Sequence, residues 1–376
     1  MHTPLAHARS LFWKRRPVHL TLFVTGSCNL RCPFCFHRRA PEAPDPAPEL
    51  SLDEIGRVAR SMDSLLWLLF SGGEPFLRRD LVEVSALFHQ VNRPAFLTYP
   101  TNGWFPEVIA DRTEEILRSC PESVVVVKVS LDGVGADHDA LRRAPGGFER
   151  VVRTLERLAS LAGRHRRLEV GVNTLFCREN QERMEAIVDF VAGLDGVRSH
   201  TLTVARPVPG VATAAGVDPA LYRRAGLHLE ARWRARRHGS HRFAGAGLKS
   251  AQDRLQRRLV HRTLLERRRV VPCYAGRLDL VLSESGDLYP CEGRWDASFG
   301  NVRQAGYDVP GMLRSARARR VFEALENGEC HCTNECNFLV NILFNPRMHP
   351  GLLRHCAGLP PAWPGRDEAP RQAGAG

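Results

Sequence analysis

Val18-His19-Leu20-Thr21-Leu22-Phe23-Val24-Thr25-Gly26-Ser27-Cys28-Asn29-Leu30-Arg31-Cys32-Pro33-Phe34-Cys35 begins with an apolar run and ends with three cysteines inside eight residues. The run reads as a strand, Val18 to Thr25, and the loop leaving it gathers three thiols close enough to serve one metal centre. Five further strand-like runs follow: Leu65 to Ser71, Pro94 to Pro100, Ser123 to Leu131, Leu168 to Thr174 and His200 to Ala205. Val124 to Val127 is apolar on both alternations, as a strand covered on both faces should be.

Between these runs lie amphipathic stretches: Ser51 to Ser61, where Ser51 and Glu54 make a capping box, then Arg79 to His89, Phe105 to Arg118, Phe148 to Ala162 and Gln181 to Leu194. Strands alternating with helices predict an α/β fold with a parallel sheet, and six strands predict a partial (β/α)6 barrel rather than a closed one of eight units. In such a fold the loops after the strands carry the chemistry. Those loops hold the first cysteines, Ser71-Gly72-Gly73-Glu74-Pro75, Thr101-Asn102-Gly103 and Ser130-Leu131-Asp132-Gly133.

After Arg206 the pattern changes. A Pro-, Gly- and Ala-rich connection leads into a basic helical segment, then a hairpin from Leu278 to Cys291 with Glu284-Ser285-Gly286-Asp287 as its turn, then a helix from Pro310 to Asn327. The expected divisions are an N-terminal extension (1–17), a barrel (18–206), a basic linker (207–270), a cysteine-bearing extension (271–356) and a frayed tail (357–376).

The chain has 376 residues, 43% hydrophobic and 25% charged, a globular composition with ample core. No apolar run approaches the roughly 20 residues of a spanning helix, and the N-terminus lacks a signal-peptide stretch. A cytoplasmic protein without a membrane span is expected. There, eleven cysteines are ligand candidates rather than disulfides. The net charge is +12, and Leu221 to Val270 carries fifteen Lys and Arg against three Asp and Glu. This segment reads as a solvated helix face, with an anionic partner or nucleic acid as the alternative.

Three cysteines at Cys28, Cys32 and Cys35 leave one iron of a four-iron cluster open to a non-protein ligand, the arrangement a reactive centre requires. A structural zinc is the competing reading. Together with Gly72-Gly73-Glu74-Pro75, the CxxxCxΦC pattern, with Phe34 as its aromatic position, resembles the radical S-adenosylmethionine superfamily over about Val18 to Arg206. The resemblance implies a [4Fe-4S] cluster on Cys28, Cys32 and Cys35 that binds S-adenosyl-L-methionine. It also implies that Gly72, Gly73, Glu74 and Pro75 hold the methionine ammonium, that Ser130 and Asp132 meet the ribose or methionine end, that Asn173 faces the same pocket and that Arg206 pairs with the methionine carboxylate. A plain turn is the alternative at Asp132-Gly133.

A hairpin returns its ends to each other, so Cys273 and Cys291 can meet one centre, and Cys330, Cys332 and Cys336 can complete it. This region resembles the SPASM or shorter twitch extension of the same superfamily. That implies one auxiliary [4Fe-4S] cluster, assigned to Cys273, Cys291, Cys332 and Cys336 with Cys330 as the competing ligand. Cys120, Cys177 and Cys356 read as small buried apolar residues.

By this resemblance the chain is an oxidoreductase that cleaves S-adenosylmethionine to a 5'-deoxyadenosyl radical, using a low-potential donor such as a flavodoxin or ferredoxin. Its substrate would be a small molecule or a peptide that is oxidised or cross-linked, with the auxiliary cluster as electron acceptor. The short N-terminal extension, with no room for a peptide-leader domain, tilts the expectation toward a small molecule. A non-catalytic iron-sulfur or zinc protein that binds nucleic acid would leave Gly72 to Pro75 without purpose, so nucleic acid is not an expected partner.

Overall fold

The computed structural model describes residues 4–37, 48–206, 216–236, 241–327 and 330–358. Residues 207–215 of the expected connection, and the tail from residue 359, lie outside this set. Six parallel strands form the core: β1 (His19–Thr25), β2 (Trp67–Gly72), β3 (Phe96–Thr101), β4 (Val124–Ser130), β5 (Leu168–Phe176) and β6 (Val197–Val204). They lie in sequential order, and the sheet does not close on itself.

Helices α1 (Leu52–Ser61), α2 (Leu81–Val91), α3 (Pro106–Ser119), α5 (Gly147–Arg164) and α6 (Met184–Gly193) make the crossovers. α1 starts where the sequence places it. Ser51 Oγ accepts from Glu54 N, and Glu54 Oε2 accepts from Ser51 N. Within the barrel one helix was not anticipated: α4 (Ala136–Arg142), seven residues long, lies between β4 and α5. Two turns show too little periodicity to be read from sequence.

The two faces of the sheet differ. Leu68, Phe70, Leu97, Tyr99, Val125, Val127, Val129, Val170 and Val172 point outward into one continuous core beneath the helices. The other alternation points inward. Its lower part is apolar, with Phe96, Val124 and Val126 packed together, whereas Lys128, Ser130, Asn173 and Thr201 keep partial exposure higher up. The barrel interior is therefore a polar space with an apolar floor.

The C-terminal part completes this space. Helices α7 (Pro219–Ala235) and α8 (Ala246–Glu266) follow, then β7 (Asp279–Leu282) and β8 (Asp287–Tyr289), the expected hairpin. β7 pairs in parallel with β1, and β9 (Gly300–Asn301) pairs with β8, so the sheet runs to nine strands. α9 (Val309–Arg314), α10 (Ala316–Asn327), α11 (Glu335–Leu343) and α12 (His349–Cys356) come last. Val340 and Phe344, in and just after α11, pack on the apolar floor. Arg303 joins the extension to α1 through Glu54 (2.6 Å), and this hydrogen bond lowers the Glu54 carboxyl to about 2.

The basic segment is less solvated than its composition suggests. Arg236 donates to the carbonyls of Val197 and Leu194, Arg254 to that of His355, and Arg269 to those of Cys330 and Leu325. Arg257 pairs with buried Glu230 at 3.3 Å. Much of the surplus charge thus ties α7 and α8 to their neighbours. Among the described residues no helix is long and apolar enough to cross a membrane.

Candidate active site

The first cysteine loop is held by the strand exits around it. Thr25 Oγ1 and Gly26 N both donate to Glu49 Oε1 at 2.8 Å, a contact the sequence did not announce. Gly73 N donates to Thr25 O (2.8 Å) and Glu74 N to Ser27 O (2.9 Å). A Cβ at Gly72 would stand 2.2 Å from Thr25 O, and one at Gly73 would stand 2.0 Å from Ser27 O. The two glycines are thus needed for the close approach of the β2 exit to the cysteine loop.

Glu74 is engaged within the chain. Its side chain is buried, with Oε1 accepting from Thr101 Oγ1 (2.8 Å) and Phe76 N (3.3 Å) and Oε2 from Asn102 N (2.7 Å). Burial raises its carboxyl to about 7 against these hydrogen bonds. Pro75 then opens a short turn. Glu74 braces the loop after β3, and that loop reaches the cysteines. Asn102 Nδ2 lies 2.8 Å from Asn29 Oδ1 and 3.8 Å from Cys28 Sγ, while Leu30 N lies 3.5 Å from the same sulfur.

Asp132 is also committed within the chain. Its Oδ2 accepts from Arg142 Nε at 2.7 Å and its Oδ1 from Leu175 N at 2.7 Å, which makes a buried ion pair. Arg142, on the unanticipated α4, is one of the residues that sequence reasoning missed. Its guanidinium carbon lies 5.6 Å from the centroid of the Phe34 ring, between Cys32 and Cys35 in sequence. Burial pushes the Cys32 thiol up to about 11, and Arg142 opposes that shift. Ser130 and Asn173 do face one another across the β4–β5 register, and Asn173 Oδ1 is buried with no partner.

In the second set, burial pushes up the thiols of Cys273, Cys291 and Cys330. Cys273 adds to the rise at Cys291, Cys330 adds to that at Cys273, and Cys332 adds to all three. Cys336 shares Asp279 with Cys291 and has other charged neighbours besides. After burial, Glu292 and Asp279 raise it and Arg206 lowers it. Arg206 Nη1 donates to Glu292 Oε2 (2.9 Å) and Nη2 to Glu335 Oε2 (3.4 Å), while its Nε is buried without a partner. It clamps the residues that follow Cys291 and precede Cys336. Cys120 and Cys177 are buried as expected, whereas Cys356 is exposed.

Among the described residues no three His, Cys, Asp or Glu converge as one metal ion would require. In a cubane each thiolate holds a different iron, and the donor set fits that group: soft sulfur ligands, with N–H groups directed at the Cys28 sulfur.

An open parallel barrel that presents three thiolates on the loop after its first strand, next to a glycine-lined strand exit, defines an iron-sulfur barrel protein. Residues 22–191 match the family model of the Radical SAM superfamily. These residues carry a radical SAM domain, of a superfamily whose cofactors are S-adenosylmethionine and a [4Fe-4S] cluster.

The chain is 31% identical over 182 residues to an AdoMet-dependent heme synthase of Methanosarcina barkeri, covering 47% of this chain and 48% of that protein. It is 26% identical over 325 residues to an AdoMet-dependent heme synthase of Nitratidesulfovibrio vulgaris, covering 82% of each. The first curated relatives are matched over about half of their own length. Among solved structures, anSMEcpe with bound AdoMet shares the fold with a TM-score of 0.56 at 15% identity, over 91% of this chain and 96% of that one.

Proposed function

We propose that this chain is a radical S-adenosylmethionine enzyme that oxidises or cross-links a small-molecule or peptide substrate, with one auxiliary [4Fe-4S] cluster as electron acceptor. The observation that carries the reading is the suspension of the Cys28 loop from the β2 and β3 exits through Gly73, Glu74 and Asn102. When bound, the first cluster and S-adenosylmethionine supply a 5'-deoxyadenosyl radical by one-electron reduction of the sulfonium.

The chain's own residues supply holding and shaping. Cys28, Cys32 and Cys35 would hold three irons, leaving the fourth for the cofactor's amino and carboxylate groups. Asn102 and Leu30 direct N–H groups at one ligand sulfur, and buried Arg142 brings a positive charge beside Phe34. Ser130 and Asn173 keep polar groups unspent where a cofactor or substrate would reach them. Cys273, Cys291 and Cys332 would hold the auxiliary cluster, with the fourth place open to Cys330 or Cys336.

The similarity to a heme synthase over 82% of both chains supports the small-molecule side of the substrate choice. A low-potential flavodoxin or ferredoxin would deliver the electron. The test is anaerobic reconstitution followed by incubation with S-adenosylmethionine and dithionite. 5'-Deoxyadenosine is expected from the wild type and not from Cys32→Ala, which should keep about half the iron. Production by Cys32→Ala would overturn the assignment.

A further inference from the structure

The chain has 50 arginines and only three lysines: Lys14, Lys128 and Lys249. Two of the three have ordinary explanations. Lys14 donates to Leu11 O near the surface, and Lys249 pairs with Asp253 along α8. Lys128 is different. It lies on the inner face of β4, half-buried in the polar part of the barrel, and its Nζ donates to Thr201 Oγ1 at 2.5 Å. No carboxylate stands within ion-pair distance of it among the described residues. An ammonium taken partly out of water without a counter-charge is costly, and such groups are ordinarily paired.

The surroundings of Lys128 provide for it. Its register partner on β5 is Gly171, where a Cβ would stand 3.6 Å from Lys128 Cε and 2.5 Å from Ser199 Oγ. One pleat nearer the cysteine loops lie Ser130 on its own strand and Asn173 beside it, whose Oδ1 is buried without a partner. Thr201 is the register partner of Asn173 on β6. A cation, a hydroxyl and an amide thus share one side of a space that remains partly exposed.

The charged groups facing Lys128 are Lys249 and Asp253 from α8, Glu335 and Cys336 from α11, and His200 from β6. The acids among them have partners of their own: Asp253 has Lys249 and His241, and Glu335 has Arg206. Burial, reinforced by Lys249, lowers the Lys128 amine to about 8, as an ammonium short of a counter-charge should show.

We propose that Lys128 is the anchor for an anionic oxygen group of the substrate, a carboxylate or a phosphate, held inside the barrel with Ser130 and Asn173 beside it. The inference deepens the proposed function and rests on it for the word substrate, since the position lies in the interior space on which the first cysteine loop opens. It restricts that function to molecules carrying such a group. A neutral substrate would leave Lys128 unpaired.

The three lysines make the test direct. Protein labelled biosynthetically with 13Cε-lysine gives three signals, with Lys128 assigned by its loss in Lys128→Gln. Reconstituted protein is titrated with acetate and, separately, inorganic phosphate, at constant ionic strength and pH 7. A saturable shift of the Lys128 signal, at least fivefold larger than those of Lys14 and Lys249, is expected with one anion. That anion identifies the group as carboxylate or phosphate.

Equal shifts at all three lysines, or none at Lys128 with either anion, would overturn the proposal. Asn173→Ala, which leaves the lysine in place, should weaken the saturable shift at least threefold, and an unchanged shift would remove the proposed binding space. Failure of the enzyme assignment shows separately, as absence of 5'-deoxyadenosine from the same preparation.

Discussion

His19 on β1 and Asp279 on β7 are register partners, and His19 Nδ1 lies 2.6 Å from Asp279 Oδ1 with both side chains buried. Burial raises the Asp279 carboxyl and His19 opposes that shift. The pair fastens the hairpin of the cysteine-bearing extension to the first strand of the radical SAM domain, from the inner face of one continuous sheet. Val18 N and His19 N donate to Leu278 O at the same seam.

His19→Leu is expected to destabilise the protein by about 3 kcal/mol, because it leaves a buried carboxyl without its partner. Urea unfolding of the wild type and the variant checks this. A change below 0.5 kcal/mol would mean that the backbone pairing of β1 and β7 alone holds the seam.

Glu74→Gln separates the two roles considered for this residue. The amide can accept from Thr101 and Phe76 with its oxygen, but its NH2 then meets the N–H of Asn102, donor against donor. A loss of about 1–3 kcal/mol in the iron-free protein is expected. A residue acting only through its charge on a ligand would leave the iron-free protein unchanged. Thermal melting before reconstitution distinguishes the two.

The fold was legible because each β–α unit carries its own local signal. Strands buried on both faces read as Val124 to Val127, and α1 announced itself through Ser51 and Glu54. The candidate site was legible where its pattern is local, as in the spacing of Cys28, Cys32 and Cys35. Asp132 and Arg206 each follow a strand end by two residues, and the partners of a side chain there come from elsewhere along the chain. Arg142 sits ten residues from Asp132 on a helix too short to show periodicity. Glu292 and Glu335 reach Arg206 only once β7 has docked beside β1. The hydrogen bonds of Glu74 were hidden for the same reason: nothing in Gly72 to Pro75 tells that Thr101 and Asn102 will meet its oxygens.

Glu335 gives a pH dependence of definite sign. Burial raises its carboxyl to about 7, with Arg206 opposing, against the 4.5 of an ordinary glutamate. The unfolded chain therefore releases this proton at lower pH than the folded one. The contribution is fully present below pH 4.5 and is lost as pH rises to about 7. Relative to Glu335→Gln, the wild type should lose stability steadily across that window and then level off. Comparing the two proteins cancels His138 and His200, which burial lowers and which run in the opposite sense. Urea midpoints at pH 5, 6, 7 and 8 check the slope, and a flat difference would place Glu335 in an ordinary environment.

The last prediction concerns the fourth ligand of the auxiliary centre. Sequence spacing favours Cys336, since Cys332 and Cys336 reproduce the final Cys-x-x-x-Cys of the extension it resembles. The structure groups the thiols differently. Cys330 and Cys332 both influence Cys273, while Cys336 lies among Glu292, Asp279, Arg206 and Glu335. A thiolate entering that acidic company would meet three carboxylates and one guanidinium, whereas Cys330 stands near Arg269 and Arg294, which favour its ionised form. Cys330→Ala is therefore expected to lose about half the iron of the reconstituted protein, and Cys336→Ala to retain nearly all of it. Iron and sulfide analysis with electron paramagnetic resonance of the dithionite-reduced proteins provides the comparison. The reverse pattern would return the fourth place to Cys336, and would require Arg206 to release Glu335 when the cluster assembles.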